Sequence, residues 1–275
     1  LASDAMESLI DVLGYSLAGV MGLILGLLGG GGSILTVPVL VYCFGVPAAL
    51  ATGYSLLIVG VTSGLAAIRY IPEKLLDFRV ATLFAIPSIL GVLLSRMWIL
   101  PMVPEQVPVL GNIVSKDQLI LFVFSLLIIF ISFFMFKSKD AEKLEACASD
   151  GHAVSYPLIV VEGLVVGTVT GFVGAGGGFM IVPALVLFAN IPLRRAIATS
   201  LLIISSKSLI GFGGDLIEGL HFDWGFLTVF LGITLLGTMI GTKLNSKIHP
   251  EKLRQAFAYF VFVMGVFILI KEGLL

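Results

Sequence analysis

The chain is a succession of apolar runs separated by short polar stretches, and these runs predict its helices. A helix that crosses a bilayer needs roughly 20 apolar residues at about 1.5 Å of rise each. In the first half we predict helical segments at 9–28, 33–44, 48–70, 80–99 and 119–136. Four of these are about long enough to cross. The segment 33–44, which follows a cluster of glycines, would be about 18 Å long and cannot cross alone.

The second half repeats this series, with predicted segments at 157–173, 179–190, 194–212, 224–243 and 256–270. Residues around the glycine cluster recur at one fixed offset of 145 positions: Gly29, Gly31, Gly32, Pro38, Ser55 and Ser63 match Gly174, Gly176, Gly177, Pro183, Ser200 and Ser208. A motif repeated at a fixed offset indicates internal duplication. We therefore predict a first transmembrane repeat (1–136), a cytoplasmic linker (137–156) and a second transmembrane repeat (157–275) within one integrated membrane domain.

The lysines and arginines lie mostly between the apolar runs, where they predict the topology. Cytoplasmic loops carry an excess of Lys and Arg. In each half, the short segment and the helix before it can form either two crossings or one re-entrant hairpin. Both arrangements return the chain to the side of the membrane where it started, and most basic clusters then fall on one face. Each half then has an odd number of crossings, which inverts the second repeat relative to the first. The pattern predicts both termini outside the cytoplasm.

These patterns predict an all-α polytopic membrane protein built from two inverted-topology repeats of five helical segments each. Glycine-broken helices would lie at the repeat interface, as in many secondary transporters. The composition agrees, since 58% of the residues are hydrophobic and 12% charged, against about half and a quarter in soluble domains. The formal net charge of -1 leaves no basic face for nucleic acid.

The reactive residues exclude several kinds of chemistry. Cys43 and Cys147 have neither metal-ligand nor disulfide spacing. The histidines His152, His221 and His249 lie far apart in predicted loops. No serine has the sequence context of an activated nucleophile. We expect no metal, no cofactor and no enzymatic activity.

The two glycine clusters are the first candidates for a binding site. Glycines this dense cannot continue a stable helix, since each costs about 1 kcal/mol relative to alanine. The helix that restarts after them offers unpaired N–H groups and a positive dipole end to an anion. A nucleotide-binding loop is excluded because Gly-Lys-Ser/Thr does not follow. The candidates are Gly29, Gly30, Gly31, Gly32, Ser33, Gly174, Gly176, Gly177 and Gly178. We assign a second set to close helix packing: Gly22, Gly26, Gly167, Gly171, Gly237 and Gly241.

Lys207 is the strongest single candidate for a substrate contact, because it lies well inside an apolar run. An ionisable residue within a membrane is costly and is functional by default. The alternatives are that it extends to an interface or pairs with Asp215 or Glu218. Four serines at matched places could donate to an anion, and interhelical hydrogen bonding is an equal alternative for them: Ser55, Ser63, Ser200 and Ser208. Arg69 and Arg96, near helix ends, are interpreted as anchors that extend to the interface.

Two copies of Gly-x-x-Gly-x-Gly-Gly, each followed by Val-Pro and then by Ala-x-x-x-Ser-Leu-Leu-Ile, resemble the TauE/SafE sulfite exporter family, also called the 4-toluene sulfonate uptake permease family. The second copy includes Thr199 and Ser200, which the resemblance adds to the candidate substrate contacts. It implies a multi-pass protein of the cell inner membrane that transports small sulfur-containing anions such as sulfite, sulfonates or sulfoacetate, often outward.

The sequence leaves three functions open. The first is a secondary transporter that alternates access between its two repeats, with proton coupling as a further hypothesis. The second is a passive anion channel, and the third a membrane accessory or assembly protein without transport activity. The predicted partners are a small inorganic or organic sulfur anion and the lipid bilayer. A GxxxG face would permit a homodimer without requiring one.

Overall fold

The computed structural model describes residues 2–28, 31–109, 112–137, 156–174, 193–244 and 250–273, together with 177–178, 180–182, 185 and 191. Most of the linker and most of the predicted segment 179–190 lie outside these residues. The described helices are α1 (Ala2–Leu28), α2 (Thr36–Phe44), α3 (Ala48–Tyr70), α4 (Phe78–Met102), α5 (Lys116–Lys137), α6 (Tyr156–Val173), α7 (Leu193–Ile217), α8 (Trp224–Leu244) and α9 (Pro250–Gly273).

The all-helical class is confirmed. By length and composition, α3, α4, α8 and the Arg195–Ile217 part of α7 could each cross a bilayer, within the part of the chain that the structure describes. The ends of α3 are those predicted. Helix α4 begins earlier than predicted because the Asp77 side chain caps it, accepting a hydrogen bond from Val80 N at 3.1 Å. Helix α7 continues to Ile217, which brings Asp215 inside a helix.

Two features were not predicted from the sequence. The proline-rich segment between α4 and α5 forms a small antiparallel hairpin of strands β1 (Gln106–Val109) and β2 (Asn112–Ser115). Within α4, the stretch Ser95–Ile99 is π-helical. Wider turns of this kind are rare and frequently occur at functional sites.

The first glycine cluster produces a helical hairpin. After α1 ends at Leu28, the chain resumes as a 3-10 turn, Gly31–Leu35, followed by the nine residues of α2. Thr36 Oγ1 donates to Met21 Sδ at 3.0 Å, and the Phe44 ring lies 5.1 Å from that of Tyr15. Helix α2 therefore runs back along α1.

Two close helix crossings, one from each pair of equivalent helices, use glycines at equivalent positions of the two halves. Helix α1 packs on α8 and helix α6 packs on α4. At each crossing, a side chain added to a glycine would collide with backbone of the other helix: Gly22 with Thr234, Gly237 with Gly19, Gly167 with Ser88, and Gly91 with Leu164. Gly26, Gly171 and Gly241 make similar contacts. The packing prediction for the second set of glycines is confirmed.

Helices α3 and α7 form the interior of the molecule. In their apolar stretches 72% and 67% of the residues are buried, against 44% in α4 and 33% in α8. Gly60 faces Leu209, and Gly64 faces Ser205. From one contact to the next, the residue number rises along α3 and falls along α7, so the two helices cross in antiparallel directions.

Candidate functional site

Lys207 lies on α7 at the level of this crossing, between Ser205 and Leu209 in sequence, and its side chain points to α6 instead of α3. Its side chain is 1% exposed, and its Nζ donates to Thr170 Oγ1 on α6 at 2.7 Å. A lysine buried to this degree does not extend to an interface. Its described partner is Thr170, while Asp215 pairs with another residue. Both alternative interpretations of Lys207 are therefore wrong.

The second glycine cluster approaches the same point. Gly177 has a φ of 69°, and a Cβ there would lie 2.8 Å from Lys207 Nζ and collide with Thr170. The Gly177 carbonyl accepts hydrogen bonds from Met180 N and Ile181 N, so a helical turn begins here. The first N–H groups of a helix lack partners within it. A cation, a hydroxyl and a helix start therefore meet around Gly177.

Other glycines of the two clusters have different surroundings. Gly174, with a φ of 71°, lies so close to Thr52 of α3 that a side chain would collide with it. Gly178 is buried. In the first cluster, Gly31 opens the 3-10 turn, while Gly32 packs against the α1 backbone at Met21 and Leu25. Ser33 is buried. The predicted contacts Gly29, Gly30 and Gly176 lie outside the described residues.

The hydroxyl of Thr199 has a structural partner. Thr199 Oγ1 accepts a hydrogen bond from Asp77 N at 3.1 Å, and Asp77 caps α4. At the matched position of the first half, Tyr54 OH accepts from Asp223 N at 2.6 Å. The Asp223 side chain in turn accepts from Gly225 N and Phe226 N at the start of α8. Tyr54 and Thr199 thus fix two equivalent helix entries despite their different side chains.

The buried serines fall into two groups. Ser200 donates to the Ile197 carbonyl of its own helix at 2.8 Å. Ser55, Ser63 and Ser208 are fully buried, and their Oγ atoms have no hydrogen-bond partner among the described residues. These three hydroxyls, on α3 and α7, can therefore still donate a hydrogen bond.

A buried ion pair joins α4 to α7. Arg96, in the π-helical turn, is 0% exposed, and its Nη1 lies 3.3 Å from Oδ1 and 3.2 Å from Oδ2 of Asp215, which is 1% exposed. The prediction that Arg96 extends to an interface is wrong, because the turn directs it toward α7. Arg69 differs, since it is exposed and donates to Thr242 Oγ1 at 2.9 Å. The sequence did not lead us to predict the Arg96–Asp215 pair or the role of Thr170. The pair could have been suspected because one basic and one acidic residue each lie in an apolar run.

Comparison with known proteins decides the family. The model for "Sulfite exporter TauE/SafE" matches residues 15–268. The chain belongs to the TauE/SafE family. A "Probable membrane transporter protein" of Xylella fastidiosa (strain Temecula1) is 30% identical over 272 residues, 96% of each chain. A protein of Methanocaldococcus jannaschii, also described as a probable membrane transporter, is 26% identical over 95% of each chain. No solved structure matches the chain significantly.

As a TauE/SafE protein, the chain is a multi-pass membrane transporter and not an enzyme. Within the part of the chain that the structure describes, no three His, Cys, Asp or Glu side chains are grouped so that they could hold a metal ion.

Proposed function

We propose that this TauE/SafE protein is a secondary transporter that exports small sulfur-containing anions, with sulfite, sulfonates and sulfoacetate as the substrate class. The observation that carries the proposal is the buried Lys207 beside Thr170 and Gly177. Lys207 offers an anion a full positive charge, and the helical turn that starts at Gly177 offers N–H groups. The Thr170 hydroxyl accepts from Lys207 and donates to the Gly167 carbonyl at 3.3 Å, so its role is to hold the lysine in place.

The surroundings of Lys207 favour an anionic ligand. Within the described residues its side chain has a hydroxyl partner and no carboxylate partner. A buried charge without a counter-charge is costly, and a bound anion would offset that cost. Attraction between charges is also stronger away from water. The glycine clusters and the hydroxyls of Ser55 and Ser208 complete the proposed substrate site.

The matched contacts support two inverted repeats and transport by alternating access. The crossing of α1 with α8 corresponds to that of α6 with α4, and Tyr54 corresponds to Thr199. In transporters with such repeats the substrate lies at the repeat interface, and one set of helices rocks against the other. Here that interface is the antiparallel crossing of α3 and α7. The proposed repeats are 1–136 and 157–275, joined by a cytoplasmic linker.

The test is flux of labelled sulfite and methanesulfonate in proteoliposomes, with and without an imposed pH gradient. We compare the wild type with Lys207→Gln, and use Lys74→Gln as the matched control because Lys74 lies on an exposed turn. Loss of the charge at the proposed contact should lower flux at least about tenfold, a factor that corresponds to about 1.4 kcal/mol. The control should transport like the wild type.

The same assay separates the alternatives. Saturable wild-type flux that responds to the pH gradient supports a proton-coupled transporter, whereas flux that does not saturate supports a channel. If Lys207→Gln transports normally, Lys207 is not a substrate contact. No flux of either anion by folded protein contradicts the proposed substrate class and favours an accessory role.

A further inference from the structure

The guanidinium of Arg96 has more donors than its one described partner uses. Arginine carries five N–H groups in a planar fork. Only Nη1 contacts Asp215, while Nε and Nη2 have no hydrogen-bond partner among the described residues, although the side chain is 0% exposed. Three buried donors of a charged group are thus unsatisfied, which destabilises a protein unless a ligand takes them.

The position of these donors suits a small oxyanion. Nε and Nη2 form the edge of the guanidinium that can bind two oxygens of one carboxylate, sulfonate or sulfite group side by side. Two glycines lie beside the pair: a Cβ added at Gly214 would lie 4.0 Å from the Arg96 Cβ, and one added at Gly53 would lie 2.9 Å from Asp215 Oδ2. The π-helical turn that holds Arg96 is an uncommon feature that often marks functional sites.

We propose that the Nε–Nη2 edge of Arg96 is a second oxyanion-binding subsite at the interface of α4 and α7. Asp215 contacts Nη1 and holds the arginine in place, while its negative charge disfavours an anion at the unoccupied edge. Lys207 and Asp215 are eight positions apart on α7, which is about 12 Å along the helix. The two cations therefore lie at different depths along α7. The role in transport rests on the proposed function, but the binding site does not.

The first test is calorimetric titration of the purified full-length protein with sulfite and with methanesulfonate, and with chloride as the comparison anion. All measurements are made in a Lys207→Gln background, so that the other proposed contact does not contribute. Asp215→Asn removes the negative charge beside the proposed subsite and should lower the Kd of the oxyanions at least about threefold. The double variant Arg96→Gln/Asp215→Asn loses one charge of each sign. Its Kd for the oxyanions should be about tenfold or more above that of the Lys207→Gln parent.

Arg69→Gln is the matched control, because it removes the same charge from an exposed arginine near a helix end. It should leave the Kd unchanged. Thermal unfolding of each variant checks folding, and sulfite should raise the unfolding temperature of Asp215→Asn more than that of the double variant.

The outcomes are decisive in both directions. A double variant that folds and binds both oxyanions as its parent does would overturn the subsite and leave the pair as a structural ion pair. If Asp215→Asn alone fails to fold, the double variant and Arg96→Lys still decide, since lysine keeps the charge and loses the fork. Wild-type protein without flux, but with oxyanion binding that depends on Arg96, would contradict the transport function and retain this subsite.

Discussion

Buried hydroxyls in this protein have two different uses at the scale of single residues. Ser55, Ser63 and Ser208 have no described partner and face the interior on α3 and α7. Tyr54 and Thr199 instead accept hydrogen bonds from backbone N–H groups at the entries of α8 and α4. A hydroxyl occupied by the backbone contributes to stability, whereas an unoccupied one can recognise a ligand.

Replacing Tyr54 with Phe or Thr199 with Val should therefore lower stability and leave substrate affinity nearly unchanged. Each change removes one hydrogen bond, worth about 0.5–1.5 kcal/mol, and more where the backbone N–H is left unsatisfied. The measurements are the unfolding temperature in detergent and the KM for sulfite flux. Ser206→Ala is the control, because Ser206 bonds only its own helix at the Leu202 carbonyl. A tenfold rise in KM for Thr199→Val without loss of stability would make Thr199 a substrate contact.

At the scale of helices, glycines determine how closely the elements approach. Lipid tails are as apolar as leucine, so helix association in a membrane depends on packing and hydrogen bonds. The crossing of α1 with α8 brings Gly22 and Gly237 against backbone atoms of the opposite helix. The crossing of α6 with α4 does the same. These contacts fix two helix pairs that can move as units.

One glycine of α8 provides a direct test of this packing. Leucine at Gly237 would collide with the Gly19 carbonyl, whereas a Cβ added at Gly232 on the same helix would have no atom within 4 Å. Gly237→Leu should destabilise the protein by about 1–3 kcal/mol or more, as overpacking does, and Gly232→Leu should be tolerated. The yield of monodisperse protein and its unfolding temperature measure both. Equal behaviour of the two variants would show that the crossing tolerates added volume.

At the scale of the whole molecule, the matched crossings agree with the charge distribution. Antiparallel packing of α3 on α7 is the arrangement expected if the second repeat is inverted relative to the first. With the basic clusters on the cytoplasmic face, the proposed topology has the linker 137–156 in the cytoplasm and the β1–β2 hairpin on the opposite side.

Cysteine labelling tests this orientation. In right-side-out vesicles, a membrane-impermeant maleimide should label Cys147 of a Cys43→Ser variant only after the membrane is opened. Gln106→Cys, in a variant without Cys43 and Cys147, should be labelled in intact vesicles, because Gln106 is exposed on the hairpin. The reverse pattern would contradict the predicted orientation, and labelling of both sites in intact vesicles would show that α5 does not cross the membrane.

Sequence alone determined the helices, because apolar runs of bilayer length and the residues that end them are local properties. The ends of α3 match the prediction, and the glycine clusters end α1 at Leu28 and α6 at Val173. The recurrence at a fixed offset and the charge distribution likewise needed no coordinates. The family motif could also be read directly from the chain.

Only the tertiary structure decided which polar groups meet, because contacts between distant segments leave no periodic signal in the chain. Lys207 meets Thr170 from a helix 37 residues away in sequence, and Arg96 meets Asp215 across 119 residues. The π-helical turn that directs Arg96 toward α7 has no sequence signature that we recognised. The cost of burying a charge depends on its neighbours, so the structure was needed to distinguish an interfacial arginine from a buried one.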